Sequence, residues 1–416
     1  MSILLNKQLK ILNEKSEQIL HPKCAKDKNI QEIPQEQKNN QVINQQNSQK
    51  NPHNETSSKL SKNPYSFKDI FNNKEKLKLH LQENCPLFLE KFELLDFLKN
   101  GSAGSVIKAR PILRGSKTPS NKLVALKFLY NGKNKKGVQD HSEISLHGTL
   151  KHKNIPAIYG YYKIADNSCI AMEMCLYGDI ENFKKNVIKR VPISETLICY
   201  IFGGIVDAVY YLHTHNKIIH MDIKQQNILI DDYLNVKLTD FSVSINYKNL
   251  KKIDLPMVGT CYYMSPEVLR KETINTSYAS CIDVYSIGVL LYLLSFCDYP
   301  YKLREVDNKN YSQILKNIES NELVFPELND NSAVFLDLLK NCLNKDIKKR
   351  FNIFQLRNHP FYQGYQIILN EKEKLYNAGK FVIDLMVDNI LNFNKFIKEK
   401  EEEIGKKKII YKYINL

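Results

Sequence analysis

The apolar positions of this chain fall into blocks of different period. From Lys23 to Lys62 there are almost none: Asn, Gln, Lys and Ser dominate, and such a tract cannot bury enough surface to offset its ordering entropy. Ahead of it, Leu4, Leu5, Leu9, Leu12 and Ile19 sit among polar residues, a spacing that predicts a short amphipathic helix over Ile3–Ile19. Cys85 to Val106 reads as strand. Val124 to Phe128, Ile218-Ile219, Ile228 to Ile230 and Val236 to Leu238 are short apolar runs bounded by polar loops, the pattern of buried strands. The longest apolar run, Ile287 to Phe296, is too short to cross a bilayer and predicts a buried helix. Near the end, Val382, Met386, Ile390, Phe393 and Ile397 recur at helical spacing, followed by acidic and basic blocks from Lys398 to Lys408.

The loop between Ile219 and Ile228 concentrates chemistry. Asp222 would take a proton from an attacking hydroxyl, Lys224 would neutralise charge on a transferring group, and Asn227 would ligate a metal ion. A solvated turn between two buried strands would use the same residue types. Thirteen residues after Asn227, the run from Val236 ends in Asp240-Phe241-Ser242. Upstream, Gly101 and Gly104 lie in a turn that leads to Val106. Glycines there let backbone N–H groups approach phosphates, although a hairpin turn serving only itself would also use two. Lys127 ends the apolar run Val124-Ala125-Leu126, where a lone lysine ordinarily snorkels to the surface.

Taken in order with Gly259-Thr260 and Met264-Ser265-Pro266-Glu267, this series resembles the eukaryotic protein kinase domain over Glu90 to Tyr362. The resemblance implies an α+β, two-lobed protein kinase fold, with a small β-rich N-lobe and a larger α-helical C-lobe. It divides the chain into a largely disordered tail (1–85), a kinase domain (90–362) and a helical extension (363–416), which packs on the lobe or contacts a partner. It implies transfer of the γ-phosphoryl of Mg²⁺-bound ATP to Ser or Thr hydroxyls of protein substrates, with a nucleotide-binding pseudokinase scaffold as the alternative. Asp222, Lys224, Asn227, Lys127, Glu143 and Thr260 become the catalytic set, and Asn227 with Asp240 the metal ligands. Gly101, Gly104, Val106, Ala125, Lys127, Met172, Glu173, Cys175, Asp179, Leu229 and Asp240 become the ATP site, with the backbone of Glu173 and Cys175 on the adenine edge. Asp283 would anchor the catalytic loop, and Arg350 would pair with Glu267.

The chain departs from the family pattern in five places. Lys99 stands where the first glycine of the phosphate loop is expected, and Ser242 where glycine follows Asp-Phe. Met221 replaces the arginine that binds a phosphorylated activation segment, and the segment from Ile245 to Gly259 contains no Ser or Thr, only Tyr247. These last two absences agree and predict activity without phosphorylation of that segment. Gln226 occupies a place where several base-directed kinases carry an acid, which argues against strong selection for arginine in substrates.

Composition adds little. The 416 residues carry a net charge of +15, but the lysines are scattered and form no basic stripe interleaved with aromatics, so nucleic acid is not the expected partner. Nine cysteines, with no C-x-x-C pair, fit reduced thiols better than a disulfide framework or zinc ribbon. No signal-peptide pattern opens the chain, and a soluble, cytoplasmic protein is expected, with the nucleus as the other compartment.

Overall fold

The computed structural model describes residues 70, 73–100, 104–112, 121–129, 142–164, 167–188, 193–326, 331–374 and 391–414. The predicted helix over Ile3–Ile19, the Lys23–Lys62 tract and Gly101 lie outside them. The tail expected to run to residue 85 needs correction, because its last part is folded. Asn73 caps helix α1 (Lys74–Asn84), its side chain accepting from Lys76 N at 3.1 Å. Leu77 and Leu81 on that helix are fully buried, while Leu79 between them faces solvent. Pro86 then opens one further turn, α2 (Pro86–Leu89), since proline at the first helical position forfeits no needed N–H. The strand expected from Cys85 therefore begins at Phe92.

Five antiparallel strands follow: β1 (Phe92–Asn100), β2 (Gly104–Pro111), β3 (Val124–Leu129), β4 (Ile158–Ile164) and β5 (Asn167–Glu173). Their order in the sheet is β1-β2-β3-β5-β4. Alternation sends Val124, Leu126 and Phe128 to one face, where they pack with Leu77, Leu81 and Phe88. Ala125, Ile170 and Met172 pack on the other face, joined by Val106. Helix α3 (Ser142–His147) precedes β4.

The larger, helical lobe opens with β6 (Gly178–Asp179) and the single turn α4 (Ile180–Phe183), then α5 (Glu195–Tyr211). Strands β7 (Ile218–Ile219), β8 (Ile228–Ile230) and β9 (Val236–Leu238) carry the catalytic-loop sequence. β8 pairs with both β6 and β9, and β7 pairs with β10 (Ile245–Asn246). β11 (Lys252–Asp254) pairs with β12 (Thr273–Asn275) on either side of α6 (Pro266–Leu269). Helix α7 (Ala279–Phe296) is apolar all round and buried on nearly every residue, as a helix at the centre of a core must be. By length and composition alone this helix and α5 could cross a membrane, but 94% and 89% of their most apolar windows are buried inside the fold. They are core helices.

Helices α8 (Tyr311–Ser320), α9 (Ala333–Cys342), α10 (Ile353–Asn358) and α11 (Pro360–Lys374) complete the lobe. Arg350 forks onto both oxygens of Glu267, at 2.5 and 3.1 Å, and also donates to the carbonyls of Cys281 and Asn344. With both side chains fully desolvated, the pair fixes architecture more than it adds net stability. In the C-terminal extension, α12 (Leu391–Ile414) buries Phe393 and Ile397 in the large-lobe core, and Glu401 accepts from Ala333 N at 2.7 Å. Val382, Met386 and Ile390 lie outside the described residues.

Candidate active site

Asp283, wholly buried on α7, organises the catalytic loop from beneath. Its carboxylate accepts from His220 N at 2.9 Å and Met221 N at 3.0 Å, and from His213 Nε2 at 2.8 Å. Anchoring two successive N–H groups to one carboxylate turns the chain sharply, and Met221 is held at φ 71°, a left-handed conformation that a non-glycine residue adopts only under such constraint. Gly259 explains itself at the same place. Its φ is +103°, and a Cβ there would come 2.6 Å from the Met221 carbonyl oxygen.

Above the turn, Asp222, Lys224 and Thr260 form a closed triangle. Lys224 Nζ lies 2.7 Å from Asp222 Oδ2 and 2.6 Å from Thr260 Oγ1. Thr260 donates to Asp222 Oδ1 through its N–H at 2.9 Å and its hydroxyl at 2.8 Å. Asn227 donates through Nδ2 to the Asp222 backbone carbonyl at 2.8 Å and to its Oδ2 at 3.0 Å. Its other side-chain atom, Oδ1, is buried and has no hydrogen-bond partner among the described residues. A buried oxygen without a donor is costly unless something electropositive completes it.

The small lobe supplies the second cluster. Lys127 Nζ contacts Glu143 Oε1 at 2.5 Å and Asp240 Oδ1 at 2.9 Å. Burial works against the Lys127 charge, but Glu143 and Asp240 outweigh it and raise the ammonium above its ordinary value. Burial likewise opposes the Asp240 charge, yet Lys127, with a hydrogen bond from Ser242, holds that carboxyl well below the usual carboxylate range. Ser242 therefore buttresses the aspartate in the position where glycine was expected.

The remaining expected residues divide. Val106, Ala125 and Met172 line one apolar surface of the small lobe, and Leu229 on β8 pairs with Asp179 on β6. Asp179 Oδ1 accepts from Asn182 N at 2.8 Å, so part of its role is to cap α4. The Glu173 carboxylate is engaged structurally, accepting from Ala157 N at 3.0 Å and Lys237 Nζ at 2.7 Å, and the Cys175 carbonyl accepts from Gly178 N at 3.1 Å. Gly104 has a packing reason beyond phosphate approach: a Cβ would fall 2.1 Å from the Phe128 carbonyl oxygen of β3.

Two side chains that the motifs did not single out join the clusters. His147, one helical turn after Glu143, packs against Phe241 with the rings tilted and their centroids 4.7 Å apart, and Phe241 packs edge-on at 5.1 Å on His220. Burial drives the His147 ring down to about 4, so it is neutral, with Nε2 at 3.1 Å from the Pro156 carbonyl. Tyr247 is buried, its hydroxyl 3.1 Å from His213 Nδ1, so the activation segment is tied to the Asp283 network. The i+4 spacing from Glu143 was the only sequence signal for the first, and nothing local marked the second.

Residues 92–362 match the family described as the protein kinase domain. The chain belongs to that family. The kinase domain is similar to serine/threonine-protein kinase dst2 of Dictyostelium discoideum, 29% identical over 318 residues that cover 76% of this chain and 25% of that protein. It is similar to calcium-dependent protein kinase 5 of Plasmodium falciparum, 29% identical over 73% of this chain and 50% of that protein. Serine/threonine-protein kinase PLK4 of Xenopus tropicalis is 27% identical over 71% of this chain and 29% of its own length. The chain thus spans between about a quarter and a half of these relatives. Kinase domains use ATP and Mg²⁺, and the donor set here suits a hard cation: the Asp240 carboxylate and the orphaned Asn227 amide oxygen are both oxygen ligands.

Proposed function

We propose that this chain is a protein serine/threonine kinase, transferring the γ-phosphoryl group of Mg²⁺-bound ATP to Ser or Thr hydroxyls of protein substrates. The observation that carries the reading is the Asp222–Lys224–Thr260 triangle beside the Lys127–Glu143–Asp240 cluster. Asp222 orients the acceptor hydroxyl and receives its proton, a step general bases accelerate by about 10²–10⁴-fold. Lys224 is placed to balance charge building on the transferring group, and Thr260 holds both side chains in register. Lys127 positions phosphates while Glu143 fixes its ammonium. Asn227 Oδ1 and Asp240 would hold Mg²⁺, which when bound offsets phosphate charge. Val106, Ala125, Met172 and Leu229 offer apolar contact to a flat base. A scaffold without catalysis would have no use for the triangle, which supports the enzyme over the pseudokinase.

The test is phosphoamino-acid analysis after incubation with labelled Mg²⁺-ATP and mixed protein acceptors. Phosphoserine and phosphothreonine are expected, and both should fall at least about 10²-fold with Asp222→Asn. Label confined to tyrosine, or label unaffected by Asp222→Asn, would overturn the assignment.

A further inference from the structure

Lys99 occupies the position where the phosphate loop of this family is expected to hold glycine, and its environment gives it a role. On the sheet Lys99 pairs with Val106, and Val106 pairs with Lys127. Residues paired directly across antiparallel strands project from the same face. Lys99, Val106 and Lys127 therefore make one row over the cleft, with a cation at each end, about 10 Å apart at the ~5 Å strand spacing. A register irregularity in β1 just before Lys99 sets this row.

Lys99 is an exposed residue whose ammonium reaches across the cleft to the catalytic loop, 3.0 Å from the Gln226 carbonyl oxygen. Desolvation there lowers its pKa, and the Asp179 and Asp240 carboxylates oppose that shift while Lys224 and Lys127 reinforce it. An ammonium has three donors, and among the described residues that of Lys99 has one hydrogen-bond partner, a neutral carbonyl. A phosphate oxygen forms a shorter, charge-assisted bond roughly twice as strong.

We propose that Lys99 is a second nucleotide-binding cation: its ammonium leaves the Gln226 carbonyl and takes a phosphate oxygen of the bound triphosphate, opposite Lys127. The inference rests on the kinase reading. In the free chain the same side chain tethers β1 to the catalytic loop, so nucleotide entry exchanges one contact for a stronger one. The missing glycine is thereby replaced by a different means of holding phosphate, a side-chain charge in place of close backbone approach.

Isothermal titration of the full chain with Mg²⁺-ATP and with adenosine, in the wild type, Lys99→Met, Lys99→Gln and Lys99→Arg, tests this. Both neutral variants should bind Mg²⁺-ATP about tenfold more weakly, the loss of one charged hydrogen bond. Adenosine, which lacks phosphate, should bind within about twofold of wild type, and Lys99→Arg should retain most of the ATP affinity. Equal or tighter ATP binding by the neutral variants would overturn the proposal, with Lys99 then only a strap across the cleft. Equal weakening of ATP and adenosine would overturn it as well, because the pocket rather than the phosphate contact would have changed. A wild-type chain that binds no Mg²⁺-ATP would overturn the kinase reading and this inference together.

Discussion

His147 makes the stability of this fold depend on pH in a way that can be isolated. Its buried ring packs at a tilt against Phe241, Nε2 faces the Pro156 carbonyl, and Nδ1 is buried without a partner among the described residues. Burial lowers its pKa from 6.5 to about 4. The unfolded chain therefore takes up the proton first, so the neutral ring costs nothing above about pH 6.5 and stability falls as pH drops towards 4. Each pH unit within that window is worth about 1.4 kcal/mol. Between about pH 7.5 and pH 5 the loss from this residue is about 2 kcal/mol. Lys127, Asp240 and His220 also act on the ring, but burial dominates. Urea unfolding of wild type and His147→Leu at both pH values gives the quantity directly, since contributions from His80 and His152, which burial also lowers, cancel in the difference. Wild type should lose about 2 kcal/mol more than His147→Leu on acidification. Parallel losses in the two proteins would show that His147 carries none of this pH dependence.

Other perturbations follow from the same contacts. Arg350→Met leaves the Glu267 carboxylate buried and unpaired, and should cost about 3–5 kcal/mol in chemical unfolding, with a cost below about 1 kcal/mol counting against the pair's structural role. Tyr247→Phe removes the hydroxyl from His213 Nδ1 and should lower stability by about 1–2 kcal/mol, while an unchanged denaturation midpoint would show that the tether is idle. Asn227→Leu removes the orphaned amide oxygen, so the Mg²⁺ concentration for half-maximal transfer should rise at least about tenfold, and an unaltered Mg²⁺ dependence would remove Asn227 from the metal site.

Most of the site could be read from the order of the motifs. Lys127, Glu143, the Asp222–Asn227 loop and Asp240 are separated in sequence, and the fold brings Lys127, Glu143 and Asp240 into one cluster and the loop residues into another. The less legible features share a cause, because each depends on which residues meet across long sequence separations. Helix α1 is an example: KEKLKLHLQEN places leucines at every second position, a strand-like alternation, while the buried stripe is Leu77, His80 and Leu81. The Lys99–Val106–Lys127 row required strand register, and register is set by a bulge that no local residue type announces. Tyr247 stood out only as the one hydroxyl between Ile245 and Gly259, and its burial against a histidine 34 positions away has no local signal. Gly104 read as a phosphate-loop glycine, and is also fixed by the backbone of β3.

Tyr247 also bears on the absence of Ser and Thr between Ile245 and Gly259. Burial pushes its hydroxyl up to about 12, and the β7–β10 pairing holds its strand against the catalytic loop. The segment is thus tied to the start of the catalytic loop by strand pairing and by the Tyr247–His213 contact.

Asp222 is expected to carry phosphoryl transfer in a site assembled without a phosphate on the activation segment. The most direct measurement is the initial rate of transfer from labelled Mg²⁺-ATP by chain produced in bacteria, before and after complete phosphatase treatment, beside Asp222→Asn. Equal rates are expected for the treated and untreated chain, with a fall of about 10²-fold or more in the variant. A rate abolished by phosphatase and restored by phosphorylation within residues 245–259, or one indifferent to Asp222, would contradict it.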